Sequence, residues 1–228
     1  MINRRKTKEL QIGNVRIGAN APVSVQSMCN TDTRDVKKTL HQINELADAG
    51  CEVVRLAVLN PDAAQAVKEI VKSSPVPLVA DIHFDYRLAI QCINNGIHAL
   101  RLNPGNIGKR ENVEKVVKLA KQQSIPIRIG VNGGSLEKAA FPLPAGEGQG
   151  EGVISSKMVA SALKHIQILE DLDFDLIKVS LKSSDVLTTI EAYRLIAQKI
   201  PYPLHLGVTE AGTLKCGLIK SSVGLGTL

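Results

Sequence analysis

The 228 residues are enough for one domain with a sizeable core, and 44% hydrophobic with 22% charged side chains are ordinary proportions for a folded protein. Aromatic residues at 3%, with no Trp, leave too few stacking platforms for single-stranded nucleic-acid binding, while a formal charge of +6 admits anionic partners of several kinds. The amino-terminal MINRRKTKEL has no apolar signal core and no apolar run approaches membrane-spanning length, so a cytoplasmic protein is expected.

In chain order, a short apolar strand, a polar turn and an amphipathic helix recur. The first strand is predicted at 22–27, followed by a helix with Val36, Leu40, Ile43 and Ala47 on one side. The second, 51–58, leads to Asn60 and Pro61, which suit the N-cap and first turn of another helix. Further strands are predicted at 76–83, 98–105, 125–132, 175–182 and 202–210. Strands alternating with helices imply parallel βαβ units. Between the fifth and sixth strands, the Pro-, Gly- and Glu-rich stretch 139–156 reads as a surface insertion. A helix-like tail follows the seventh strand, and the sequence ends where an eighth strand would begin.

Side chains alternate faces along a strand, so Asp81 and His83 share one face while Leu78, Ala80 and Ile82 share the other. The same alternation puts Arg55 with Val53 and Ala57, Arg101 with Asn103, and Arg128 with Gly130 and Asn132. Lys178, Ser180 and Lys182 lie together, as do His205, Gly207 and Thr209, and Gln26 shares a face with Ser24. Nearly every strand has one aliphatic face and one that turns polar toward its carboxyl end. An open sheet covered on both sides would bury both faces under hydrocarbon. A barrel has a polar interior mouth at the carboxyl ends of its strands, so a TIM-type (β/α) barrel is expected, a single domain over 1–228 truncated after its seventh unit.

Arg55, Arg101, Arg128 and Lys182 then converge from four strands, with Lys178 on the same face as Lys182. A lone strand-end arginine equally serves a structural ion pair, but several cations on one axis repel unless an anion offsets them. Asp81 and Glu210 are too few to do so, and the guanidinium fork suits phosphate. The turns NPGNIG and GVNGGS allow backbone N–H groups to approach a ligand, although a plain turn explains each as well. Asp81, His83, His205 and Glu210 are able to orient a substrate or move protons, and each taken singly is also an ordinary structural hydrogen-bonder. Cys29, Cys51, Cys92 and Cys216 form no C-x-x-C pair and no local metal motif, so no metal ligand is assigned; Cys51 and Cys92 read as small buried residues.

The segments APVSVQSM, VPLVADIHFDYRLA, LRLNPGNIG, IPIRIGVNGGSLEK, IKVSLKSSDV and PLHLGVTEAG closely resemble the bacterial 4-hydroxy-3-methylbut-2-enyl diphosphate synthase family of the non-mevalonate isoprenoid pathway. The resemblance implies an oxidoreductase that opens the ring of 2-C-methyl-D-erythritol 2,4-cyclodiphosphate with two electrons, supplied by ferredoxin or flavodoxin through a [4Fe–4S] cluster. It implies that Arg55, Arg101, Arg128 and Lys182 clamp the diphosphate. Asp81, His83, Asn103, Asn132 and His205 would line the pocket, and Glu210 would be the proton donor near the leaving hydroxyl. Members normally continue into an eighth strand and a cluster domain, and they act as homodimers in which one subunit's barrel meets the partner's cluster domain. The cluster ligands are not among the residues of this sequence. Two alternatives remain at this point: another phosphate-handling barrel, such as a pterin-binding synthase, and a barrel that binds without catalysis. Nucleic-acid binding would rest on the short RRKTK cluster alone.

Overall fold

The computed structural model describes residues 4–136 and 151–228. It opens with an element not anticipated above. In ELQIGNVRIG the apolar residues alternate around Gly13-Asn14, and β1 (Glu9–Ile12) pairs antiparallel with β2 (Val15–Gly18), Ile12 facing Val15 across the two-residue turn. Gly13 has a φ of +56°, and a Cβ there would lie 2.8 Å from Pro77 Cγ, so both the turn and its packing require glycine.

Six parallel strands follow in sequential order: β3 (Gln26–Met28), β4 (Val53–Ala57), β5 (Leu78–Asp81), β6 (Ala99–Arg101), β7 (Ile127–Asn132) and β8 (Ile177–Lys182). Between them run α1 (Val36–Asp48), α2 (Pro61–Ser73), α3 (Tyr86–Asn94), α4 (Arg110–Gln122) and α5 (Glu151–Glu170); α6 (Val186–Ala197) and α7 (Leu214–Thr227) come after β8. Asn60 caps α2 as expected, its side chain accepting from the Ala63 N–H at 2.9 Å with Pro61 in the first turn. The sheet curls into a (β/α) barrel. β3 and β8 are its first and last strands, yet Lys178 Nζ on β8 reaches Gln26 Oε1 on β3 at 3.5 Å.

The two faces of each strand do different work. Val54, Leu56, Leu78, Ala80, Leu100, Ile127, Ile129, Ile177 and Val179 point outward into one core with the buried faces of the helices. On the inner face, Val53, Val79 and Ala99 meet Leu10, Ile12 and Ile17 of the hairpin in a second, smaller core. The hairpin therefore plugs the amino-terminal end of the barrel. Polar groups on the inner face are left to the carboxyl-terminal end.

Four predicted segments differ. The strand expected at 98–105 is only Ala99–Arg101, and Pro104–Asn106 form a 3-10 turn, Pro104 having no N–H for a ladder. The first strand begins at Gln26 rather than 22, because Pro22 has no N–H to give a ladder and Val23 is 79% exposed. The seventh is an extended segment rather than a strand, joined to β8 by the bridge between Val179 and Leu204. The Val179 N–H donates to Pro203 O at 3.1 Å and the His205 N–H to Val179 O at 2.8 Å. Pro201 and Pro203 supply no N–H of their own. The Tyr193 hydroxyl on α6 also holds this segment, donating to His205 O. Within the stretch read as an insertion, 139–150 lies outside the described residues, whereas Glu151 onward is helical α5, with Ser155 and Met158 buried. Among the described residues no helix is long and apolar enough to cross a membrane.

Ile12 is fully buried in the plug, so Ile12→Ala should lower unfolding free energy by about 2–5 kcal/mol in urea titration. Val25→Ala, at a 56% exposed position, should stay within about 0.5 kcal/mol of the parent. Equal effects would show that the hairpin is not part of the cooperative core.

Candidate functional site

Register assembles the site. Asp81 pairs with Arg101, Arg101 with Arg128 and Arg128 with Lys178 on successive strands β5 to β8. Paired residues point to the same side of a sheet, so one line across four strands carries an ionisable group at every step into the barrel.

Asp81 is the hub. Its carboxylate, 4% exposed, accepts from Arg101 Nη1 at 3.1 Å and lies 3.5 Å from Arg55 Nε and 3.6 Å from His83 Nε2. Arg101 Nη2 also donates to Gly130 O at 3.0 Å. Arg128 Nη1 donates to Ser180 Oγ at 2.9 Å. Arg55 turns its Nε and Nη2 to the neutral sulfur of Met28 at 3.0 and 2.8 Å. Arg101 Nε, Arg128 Nε and Arg128 Nη2 are buried and have no hydrogen-bond partner among the described residues.

Asp81 is the one buried carboxylate among the described residues, against the interior cations Arg55, Arg101, Arg128, Lys178 and Lys182. The imbalance shows in their proton affinities. Burial, then the nearby Arg55 and Arg101, brings Arg128 down to about 9. Burial with Arg128 and Lys182 close by takes Lys178 down to about 7. Lys182 falls to about 7 through burial and the charges of Arg128, Arg55 and Arg101, which Asp81 partly opposes. The His205 imidazole is held well below its ordinary value by burial and by Arg128, Lys178, Lys182 and Arg55. It is therefore a neutral hydrogen-bonding group at physiological pH.

The structure thus brings together Arg55, Asp81, His83, Arg101, Arg128, Lys178, Lys182 and His205. Asn132 ends β7 in register with Lys182. Asn103 is turned to the backbone: its Nδ2 donates to Gly130 O at 2.8 Å and its Oδ1 accepts from the Gly130 N–H at 2.9 Å. Glu210 stands apart, exposed, at a φ of +49°, with no hydrogen bond or ion pair to these residues. In NPGNIG the Gly105 N–H is occupied by His165 Nδ1 on α5 at 3.2 Å, so that turn does not offer this donor to a ligand. Sequence reasoning missed His165 and also Met28, although Met28 is the register partner of Arg55.

Residues 7–228 match the GcpE TIM-barrel domain. The chain belongs to that family. It is 59% identical over its whole length to the 4-hydroxy-3-methylbut-2-en-1-yl diphosphate synthase (flavodoxin) of Maridesulfovibrio salexigens, and 57% identical over 98% of its length to that of Geobacter sulfurreducens. It spans 62% of the length of each of these relatives. In fold it is similar to the dihydropteroate synthase of Yersinia pestis (TM-score 0.58, 9% identity, 96% of this chain and 98% of that one). It is also similar to the 3-dehydroquinate dehydratase of Geobacillus kaustophilus (TM-score 0.59, 15% identity, 95% and 83%). At such identities the likeness concerns the barrel alone.

Lys178 and Lys182 at about 7, against an ordinary 10.5, bind fewer protons folded than unfolded between those two values. Stability should accordingly rise with pH across that window. Without added anions, the melting temperature is expected to climb from pH 7 toward pH 10, and Lys182→Met should flatten the slope. A parent profile that is level or falling would show that the interior lysines keep their protons.

Proposed function

We propose that this chain is the substrate-binding barrel of a 4-hydroxy-3-methylbut-2-en-1-yl diphosphate synthase. Its interior cations hold the diphosphate of 2-C-methyl-D-erythritol 2,4-cyclodiphosphate. The observation that carries the reading is a barrel mouth that, among the described residues, has five cations, one buried carboxylate and three buried guanidinium N–H groups lacking partners. Phosphate oxygens supply the missing acceptors and the missing negative charge together. Arg101 and Arg128 direct those N–H groups at the ligand, with Arg55 and Lys182 beside them. Asp81 fixes Arg101 and Arg55 while cancelling only part of their charge. His205 contributes a hydrogen bond without adding another cation, Lys178 lies deeper, and Asn103, Asn132 and His83 line the mouth. Glu210 keeps the role of proton donor to the leaving hydroxyl on the strength of the resemblance, not of any contact in the folded chain.

The reaction is reductive and implies a [4Fe–4S] cluster. Among the described residues no group of three or more His, Cys, Asp or Glu side chains could hold a metal. Burial pushes the Cys29 thiol up to about 11 and the Cys92 thiol up to about 12, the opposite of what a thiolate ligand needs. Cys216 is exposed on α7 and has no second cysteine beside it. These residues do not fit the cluster, so the part played by this chain is to bind and orient the substrate. A homodimeric, cytoplasmic synthase reduced by flavodoxin, the donor in the relatives' names, is the assembly that this barrel suits.

Calorimetric titration of the chain with the cyclodiphosphate tests the reading. Binding should weaken as salt rises, because charge attracts charge across a partly solvated mouth. Arg101→Ala and Lys182→Ala should each cost about 1.5–3 kcal/mol, the range for hydrogen bonds to charged groups. Affinity should also fall as pH rises above about 7, where free Lys178 and Lys182 lose their protons. Wild-type affinity in both variants would put the clamp elsewhere. Preferential binding of a pterin phosphate would favour a pterin-binding barrel instead.

A further inference from the structure

Three interior cations share one geometrical habit: each leans from its own strand onto a small residue of the next. Arg101 on β6 lies against Gly130 on β7, Arg128 on β7 against Ser180 on β8, and Lys182 at the end of β8 against Gly207 of the following segment. At the two glycines the contact is closer than any side chain would permit. A Cβ on Gly130 would lie 2.7 Å from Arg101 Nε and 3.1 Å from its Nη2. A Cβ on Gly207 would lie 2.8 Å from both Cε and Nζ of Lys182. Neither glycine has a left-handed backbone, so conformation alone does not demand glycine there.

We infer that Gly130 and Gly207 are positioning residues, bare-backbone seats that set where Arg101 and Lys182 present their charge to the anion. The inference rests on the clamp reading above. The Gly130 seat is itself fixed, since Asn103 holds both its N–H and its carbonyl, and that same carbonyl accepts from Arg101. At both positions the nearest obstructing atoms belong to the far ends of flexible side chains rather than to backbone. An alanine is therefore accommodated by moving the cation, and the fold need not give way. A shift of about 1 Å in a charged donor is enough to spoil a phosphate contact, whose useful length spans only about 2.7–2.9 Å. This accounts for glycine in the middle of β7, where a strand normally prefers a side chain.

Gly130→Ala and Gly207→Ala, each alone and combined with Arg101→Ala or Lys182→Ala respectively, form two double-mutant cycles. Gly226→Ala on α7, where an added Cβ meets open space, is the control. The probes are the cyclodiphosphate and inorganic pyrophosphate, followed by calorimetry. Each seat variant is expected to weaken binding about tenfold or more, with a melting temperature close to the parent's, and to add nothing once its cation has been removed. Losses that add independently, or unchanged affinity, would overturn the inference. A ligand-free readout separates it from the clamp reading: NMR titration of the Lys182 amine should move from about 7 toward its ordinary value in Gly207→Ala, as the amine is displaced toward water. Should the parent bind neither probe, the clamp reading fails and this titration decides alone. An unmoved Lys182 would then reject the seat.

Discussion

Uncompensated positive charge inside a barrel is the constraint on which the rest of this structure depends. Among the described residues five cations occupy the inner face with one buried carboxylate between them, and Asp81 is placed to touch Arg101 while lying close to Arg55 and His83. Desolvation and mutual repulsion then act on every remaining base. The molecule meets that cost by lowering proton affinity: Lys178 and Lys182 sit near neutrality, and His205 stays uncharged. Such an interior is poorly satisfied by itself: Arg101 Nε, Arg128 Nε and Arg128 Nη2 have no hydrogen-bond partner among the described residues.

The location of that charge follows from the amino-terminal hairpin. Leu10, Ile12 and Ile17 fill the barrel between Val53, Val79 and Ala99, so the polar groups of the inner face are confined to the other end. Two residues further along the same strands, Arg55, Asp81 and Arg101 replace the apolar layer. An apolar floor beneath the cations limits the paths by which water could screen them, which strengthens each contact they make. The apolar floor and the charged layer are adjacent layers of one arrangement.

Family membership and fold carry different weight. The match of residues 7–228 to the GcpE TIM-barrel domain places the chain in that family, whereas 9–15% identity to dihydropteroate synthase and dehydroquinate dehydratase reflects a shared scaffold only. The chain spans 62% of the length of the 4-hydroxy-3-methylbut-2-en-1-yl diphosphate synthases it resembles, and among its described residues no group of three or more His, Cys, Asp or Glu side chains could hold a metal. The cationic mouth belongs to the barrel itself.

Period-two alternation made the barrel and its inward cations legible in the sequence, because which face a strand residue takes is a local property of the backbone. Asp81 and His83 could be paired by counting alone, and so could Lys178, Ser180 and Lys182. The hairpin was missed although its residues alternate around Gly13-Asn14, and its destination lay beyond counting, since plugging a barrel is a contact between distant segments. Register was the quantity that counting could not supply. Only the folded sheet decided that Arg101 pairs with Arg128 and leans on Gly130, that Asn103 spends its amide on that backbone, and that His165 takes the Gly105 N–H. The same holds for the segment after β8, where prolines and one bridge replaced a regular strand. The sequence by itself determined which residues face inward; the tertiary structure decided which neighbours they meet, because pairing between strands depends on packing summed over the whole barrel rather than on any short stretch of chain.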